Sequence, residues 1–236
     1  TEALWVHQWH NVVDAGLLEK VLKASDSHAR AAAARVLCHW RDRVPGALAT
    51  FKALAADPYP RVRLEAVRAA SFFTEPDALE VVLISAEHPS DVYLDYTRGE
   101  TMKALEPYWK KAIAEGRQVR FTSEAGERFF LGRVGTEELL RLPKSRAVDL
   151  EILSRKGVRD EARREALADL ARRDGKVGLL ELIDAVKALD SGDKRAAEEG
   201  VVFDLVRLLS SRPAAELAAA RADIETLVTS SRLPVT

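Results

Sequence analysis

Apolar residues recur along most of the chain at intervals of three and four, the spacing of one face of a helix. Leu4, Trp5, Trp9 and Val12 form one such stripe over residues 2–13, and Leu18, Val21 and Leu22 form another over 17–24. Asp14-Ala-Gly16 separates the two. Ser25-Asp26-Ser27 is a helix-start cluster ahead of an alanine-rich helix over 28–41. Pro45 suits the first turn of a helix over 46–56. Asp57-Pro-Tyr-Pro60 is a turn, because proline and the residue before it resist the α conformation, and a helix over 61–73 follows. Helices are predicted over 78–87 and 91–105, with Pro107 bending or restarting the chain toward Gly116. The same spacing resumes over 137–142, 145–155, 158–173, 176–189, 193–211 and 214–230, punctuated by Arg173-Asp-Gly175 and Asp190-Ser-Gly-Asp193.

Between Gly116 and about Leu142 the periodicity lapses. Arg120, Phe121 and the Phe129–Val134 run flank Ser123-Glu-Ala-Gly126. That pattern reads either as a small β-hairpin closed by a glycine-containing turn or as an irregular insertion.

A longer period lies over the helical one. Ala29-Arg30, Val62-Arg63 and Thr97-Arg98 stand 33 and 35 residues apart, each preceded by a turn that holds Asp26, Asp57 or Asp91. Ala162-Arg163 opens a further match, and Lys194-Arg195 a weaker one. A period of this size marks units that cannot bury their apolar faces alone and therefore stack. The expected fold is all-α, a right-handed αα-superhelix. Its expected parts are N-terminal repeats over 1–116, a connector over 117–142 and C-terminal helical repeats over 143–236.

Composition narrows the function classes. In 236 residues, 47% are hydrophobic, 31% are charged and 6% are aromatic, a profile of ordered helix rather than sheet. The formal charge of −1 gives no global attraction to nucleic acid or an anionic membrane, although a local basic face remains open. The single cysteine, Cys38, excludes a disulfide framework and a cysteine-rich zinc site, and its Val36-Leu37-Cys38 setting reads as a small buried group. No run of about 18 apolar residues is present, so no membrane insertion is expected. The chain starts at Thr1 without Met or leader and reads as an excised piece or a mature product.

The stretch from Asp57 to Ala70 resembles HEAT repeats. Asp57, Val62, Arg63, Ala66 and Ala69 fit the pattern, and Asp26, Ala29, Arg30, Ala33 and Leu37 fit it less closely. The resemblance implies a structural ladder in which each arginine meets a neighbouring repeat, here through Asp26, Arg30, Asp57, Arg63, Asp91, Arg98 and Arg163. Over residues 1–117, Ala3-Leu-Trp-Val-His-Gln-Trp-His10, Arg35-Val-Leu-Cys-His-Trp-Arg41 and Leu105-Glu-Pro-Tyr-Trp109 look like the HEAT segments of planctomycete-type membrane-bound dehydrogenase or haem-binding proteins. That likeness implies an extracytoplasmic setting and flanking sugar-dehydrogenase and c-type haem domains. The chain has no Cys-x-x-Cys-His, so it attaches no haem covalently, and no cofactor is expected.

Several clusters carry candidate chemistry. His7 and His10 share a helix face three residues apart, with His39 as a third metal candidate on the facing helix. The bland alternative is an aromatic seam of Trp5 and Trp9 packed on a neighbour. Tyr93, Asp95, Tyr96, Tyr108 and Trp109 suit a groove that contacts a partner, or simple core packing. Arg61, Arg63, Arg68 and Arg98 make either a basic strip for an acidic partner or internal ladder members. Trp40, Arg41 and Arg43 stand at a helix end, where cations complement the dipole. No nucleophile triad, phosphate loop or zinc motif occurs. The expected function is therefore a non-catalytic scaffold for protein partners or flanking domains. The alternative is a HEAT-like DNA glycosylase using Tyr93, Asp95 and Trp109, which the near-neutral charge disfavours.

Overall fold

The structure, a computed structural model, describes residues 1–191 and 195–230, with backbone alone for 190, 191, 195–199 and 230. The chain divides into two compact units, one over Thr1–Phe130 and one that begins at Leu131. Among the described residues every regular element is helical.

In the first unit, α1 (Glu2–Trp9), α2 (Ala15–Leu22), α3 (Ser27–Trp40), α4 (Ala47–Leu54), α5 (Pro60–Ala70), α6 (Leu79–Ser85), α7 (Val92–Ala104), α8 (Glu106–Ala114) and α9 (Glu124–Leu131) follow in order. A single turn of 3₁₀ helix, Pro76–Ala78, precedes α6. The second helices of successive pairs lie side by side, with α3 and α7 on either flank of α5. The first helices α2, α4 and α6 form the other layer, and α1 packs on α3. Local chemistry starts the helices where the polar punctuation predicts. The carboxylates of Asp14, Asp26 and Asp91 accept the backbone N–H groups of Leu17 at 2.9 Å, His28 at 2.9 Å and both Tyr93 and Leu94 at 2.9 and 2.8 Å. Pro60 opens α5, where a missing N–H costs nothing. Alanines then let the second helices approach closely. Ala33, Ala34, Ala66, Ala69 and Ala70 are fully buried, beside Val36, Leu37, Val62 and Val67.

Three sequence expectations change here. The helix predicted over 2–13 ends at Trp9, where Asn11 takes a left-handed φ of 56°. The break at 14–16 is the capping carboxylate of Asp14 alone, and Gly16 lies inside α2. The β-hairpin expected within 117–135 does not form. That stretch makes α9, followed by α10 (Thr136–Arg141). The Ser123 hydroxyl accepts the Gly126 N–H at 3.1 Å, and Glu124 and Glu127 occupy the first turn, where the helix dipole favours acids. Phe129-Phe130-Leu131 is too short a run for its period to separate one helical turn from a strand. Gly126 is no turn residue. It is buried where α9 crosses α6, and a Cβ there would stand 3.0 Å from the Leu83 carbonyl oxygen.

The second unit contains α10, α11 (Arg146–Ser154), α12 (Asp160–Asp174), α13 (Gly178–Ser191), α14 (Arg195–Ser210), α15 (Ala214–Ala219) and α16 (Arg221–Ser230). Its core gathers Val148, Ile152, Leu167, Leu170, Leu182, Val186 and Leu205. Gly175, with φ 65°, ends α12. The predicted break at Asp190–Asp193 and the weak repeat at Lys194-Arg195 lie outside the residues whose side chains are described.

Candidate protein-interaction face

The arginine that recurs on each second helix is turned inward. Arg30 Nη1 donates to the carbonyls of Ala24 and Ser25, both at 2.9 Å, and so closes the loop before its own helix. Its Nε and Nη2 reach the next repeat and grip the Asp57 carboxylate at 2.8 and 2.9 Å. Arg63 repeats the arrangement one unit on. Its Nη1 donates to the Asp57 and Pro58 carbonyls at 2.7 and 2.9 Å, and Nη2 to the Pro89 carbonyl at 2.6 Å. Asp91 accepts no bond from Arg63 and serves as the cap of α7. Arg98 departs further. It bonds the hydroxyl and carbonyl oxygen of Ser85 and pairs with Asp95. In the second unit Arg163, fully buried, pairs with Asp204 at 2.7 Å and donates to the Arg155 carbonyl at 2.8 Å. Burial pushes the Asp57 carboxyl up, but the Arg30 bonds, the Tyr59 N–H and the charge of Arg63 outweigh it and hold the group below its ordinary range.

The expected strip of Arg61, Arg63, Arg68 and Arg98 therefore splits. Arg63 and Arg98 are buried, Arg63 spent on loop carbonyls and Arg98 on the end of α6 and on Asp95, while Arg61 and Arg68 stay at the surface. They meet Arg35 from α3 around one carboxylate. Glu65 is buried in the middle of α5 and holds Arg35 at 2.5 Å, Arg61 at 3.1 Å and Arg68 at 3.2 Å. Burial alone raises the Glu65 carboxyl, and the hydrogen bond and charge of Arg35, with the charges of Arg68 and Arg61, bring it below the usual range. Next to this cluster the ring of Phe72, half exposed, lies under the guanidinium groups of Arg41 at 5.4 Å and Arg68 at 5.7 Å.

Arg35, Glu65, Phe72 and Lys103 were not singled out from the sequence, although a signal was present. Arg35, Arg68 and Lys103 each stand five residues after the inward arginines Arg30, Arg63 and Arg98, so they occupy equivalent places on α3, α5 and α7. The repeat that fixes the buried arginine thereby also fixes an exposed cationic row.

The other sequence candidates separate. Trp5 and Trp9 both lie exposed on α1, and Trp9 is 87% exposed. His7 Nε2 comes within 3.8 Å of the Asp14 carboxylate. Among the described residues no group of three or more His, Cys, Asp or Glu side chains comes together to hold a metal ion, so His7, His10 and His39 do not converge. Tyr93 and Tyr96 project from α7, where Asp95 accepts from the Ser90 hydroxyl at 2.6 Å and pairs with Arg98. Trp109 is not on a surface with them. It is 4% exposed, its indole N–H donates to the Met102 carbonyl at 3.2 Å, and it stacks edge-on against Phe130. The constellation that a glycosylase reading requires of Tyr93, Asp95 and Trp109 is therefore not assembled, because helical spacing sends Trp109 into the core of the first unit. Tyr108, half-buried, is its neighbour on α8. Cys38 is buried, and desolvation pushes its thiol up against the opposing charges of Arg68 and Arg41.

These inward arginines, alanine-packed second helices and capped loops define a class, the helical-repeat proteins. Residues 15–106, which span α2 to α7, match the family model described as HEAT repeats, and the chain thus carries a HEAT-repeat segment. No curated protein matches the chain, and no solved structure does. Among the described residues no helix is long and apolar enough to cross a membrane.

Proposed function

We propose that the chain is a non-catalytic helical-repeat module that holds protein partners on the exposed side of α3, α5 and α7. One observation carries the reading. The side of these helices that meets the loops is consumed by buried arginines, while the opposite side leaves Phe72, Tyr93 and Tyr96 open to solvent, Tyr96 at 71%. Large exposed aromatics grouped on one layer mark contact surfaces rather than solvated exteriors. HEAT repeats commonly serve as protein-interaction scaffolds, which supports the same reading. We also infer that the repeats of this segment stack with the right-handed αα twist of the family. The setting in a larger extracytoplasmic redox protein rests on the sequence resemblance over residues 1–117.

The test is photo-crosslinking. A benzoylphenylalanine placed at Tyr96, and separately at Leu140 on α10, is irradiated in an extract of the source cells. The proposal expects a discrete protein adduct from position 96, mapped by mass spectrometry, and none of the same mass from position 140. Adducts that are identical at both positions, or none at position 96, would remove it.

A further inference from the structure

We propose that the row of Arg35, Arg68 and Lys103, with Arg61 beside it, binds an extended acidic segment of a partner protein. The inference rests on the scaffold reading above and names the chemistry of what is held.

The row lies across helices, not along one. Neighbouring helices stand about 8–10 Å apart, and an extended chain in the polyproline II conformation advances about 3.1 Å per residue with about three residues per turn. A segment in that conformation laid across α3, α5 and α7 therefore presents every third side chain to successive cations of the row. Carboxylates in that spacing meet one guanidinium or ammonium group per helix.

Charge supports the class of ligand. Four cations, Arg35, Arg61, Arg68 and Lys103, face two carboxylates, Glu65 and Glu100, so two positive charges are in surplus. Glu65 is the second, independent feature. Three arginines converge on one buried acid, which holds their guanidinium groups in place while half of the Arg35 and Arg61 side-chain surface remains open. Groups fixed in this way lose little side-chain freedom when an anion arrives. Lys103 is tied only to Glu100 on its own helix, at 2.7 Å, and its side chain is 73% exposed, so an incoming carboxylate exchanges readily for that partner. Phe72, under Arg41 and Arg68, offers an apolar contact beside the middle of the row.

The same count argues against nucleic acid. A polyphosphate backbone is held tightly only when many phosphates are neutralised together, and Glu65 and Glu100 stand among the cations where a continuous phosphate chain would run. Spaced carboxylates on a peptide avoid these two acids.

The probe is a fluorescein-labelled (Glu-Thr-Ser)4 peptide, titrated by anisotropy with the full chain at two salt concentrations. The (Gln-Thr-Ser)4 peptide and a labelled oligothymidylate serve as comparisons. Saturable binding to the glutamate peptide is expected, weakened at least fivefold by Arg68→Gln and at least twofold by Lys103→Gln. Arg141→Gln, on α10 of the second unit, should leave it unchanged. Lys103→Gln touches no buried group, so its effect does not depend on folding, and melting curves check the Arg68 variant. Equal binding of the glutamine peptide, or no loss in either row variant, overturns the proposal. So does an equal loss in Arg141→Gln, and tighter binding of oligothymidylate through the same residues would reassign the face to nucleic acid. A crosslinked partner from position 96 with no affinity for the glutamate peptide would sink the acidic class and leave the scaffold reading intact. No adduct from position 96 would sink the scaffold reading itself.

Discussion

At the scale of single residues, one half-buried and one fully buried carboxylate behave in opposite ways. Asp57 is gripped by Arg30 through two bonds and also accepts the Tyr59 N–H. Its folded-state pKa lies below the ordinary value of about 3.9. The stability it contributes is therefore full above that range and is lost as pH falls through the depressed value. Arg30→Ala should cost about 2 kcal/mol near neutral pH in denaturant unfolding, with the deficit shrinking toward pH 3. Asp149 is the reverse case. It is fully buried on α11 without a hydrogen-bond partner for either oxygen, and its nearest cations are Arg173 at 3.6 Å and Lys144 at 3.9 Å. Desolvation pushes its carboxyl up, with the cations Lys144 and Arg173 opposing and the neighbouring acids Asp169 and Glu165 adding to the rise. A raised folded pKa costs stability as pH rises through it. Asp149→Asn should therefore raise stability at pH 8 by about 1 kcal/mol and by less at pH 4, read from melting curves at both pH values. The repeat pattern already pointed to the Arg30–Asp57 link, whereas nothing in the sequence marked Asp149, which sits in an ordinary charged helix. Which acid is buried depends on which helix covers it.

At the scale of elements, one substitution should have opposite signs in two helices. Gly99 lies in the middle of α7 with open space where a Cβ would stand, so Gly99→Ala should stabilise by about 0.5–1 kcal/mol through helix propensity alone. Gly126 in α9 meets the backbone of Leu83, which cannot turn aside as a side chain can. Gly126→Ala should destabilise by about 1–2 kcal/mol despite the same gain in propensity, and urea unfolding of the pair distinguishes them. The helices α3, α5 and α7 were readable because caps, alanine spacing and the 33- and 35-residue period agreed. The region of α9 was misread because its glycine signals a close approach of two helices, and only the tertiary packing separates that from a turn.

At the scale of the whole molecule, the four tryptophans divide by burial. Trp40 and Trp109 lie in the core of the first unit, and Trp5 and Trp9 stand on α1 in solvent. Acrylamide should quench one fraction of the emission strongly and leave the other nearly untouched. A Trp5→Phe, Trp9→Phe double variant should lose the quenchable, red-shifted part with little change in stability. The repeat class was legible because a period is a global property that survives local error. The exposed cationic row was equally periodic but stayed hidden, since sequence does not say which of two periodic arginines points inward. That choice is made by the loop carbonyls before each second helix, which capture Arg30 and Arg63 and leave Arg35 and Arg68 outside.

The arginine links also make the two seams of this layer mechanically unequal. Between α3 and α5 the cross-links are ionic, Arg30 on Asp57 and Arg35 on Glu65. Between α5 and α7 the acceptors are neutral, the Pro89 carbonyl for Arg63 and the Val67 carbonyl for the Thr101 hydroxyl. Alanine surfaces can slide past one another, whereas directional bonds must break, so a pull across the helices loads these links first. In dilute salt the α5–α7 seam should yield before the α3–α5 seam, an order that single-molecule force spectroscopy reads directly. Added salt weakens the exposed part of the ionic seam and narrows the difference, so that ionic strength sets where the array parts under tension.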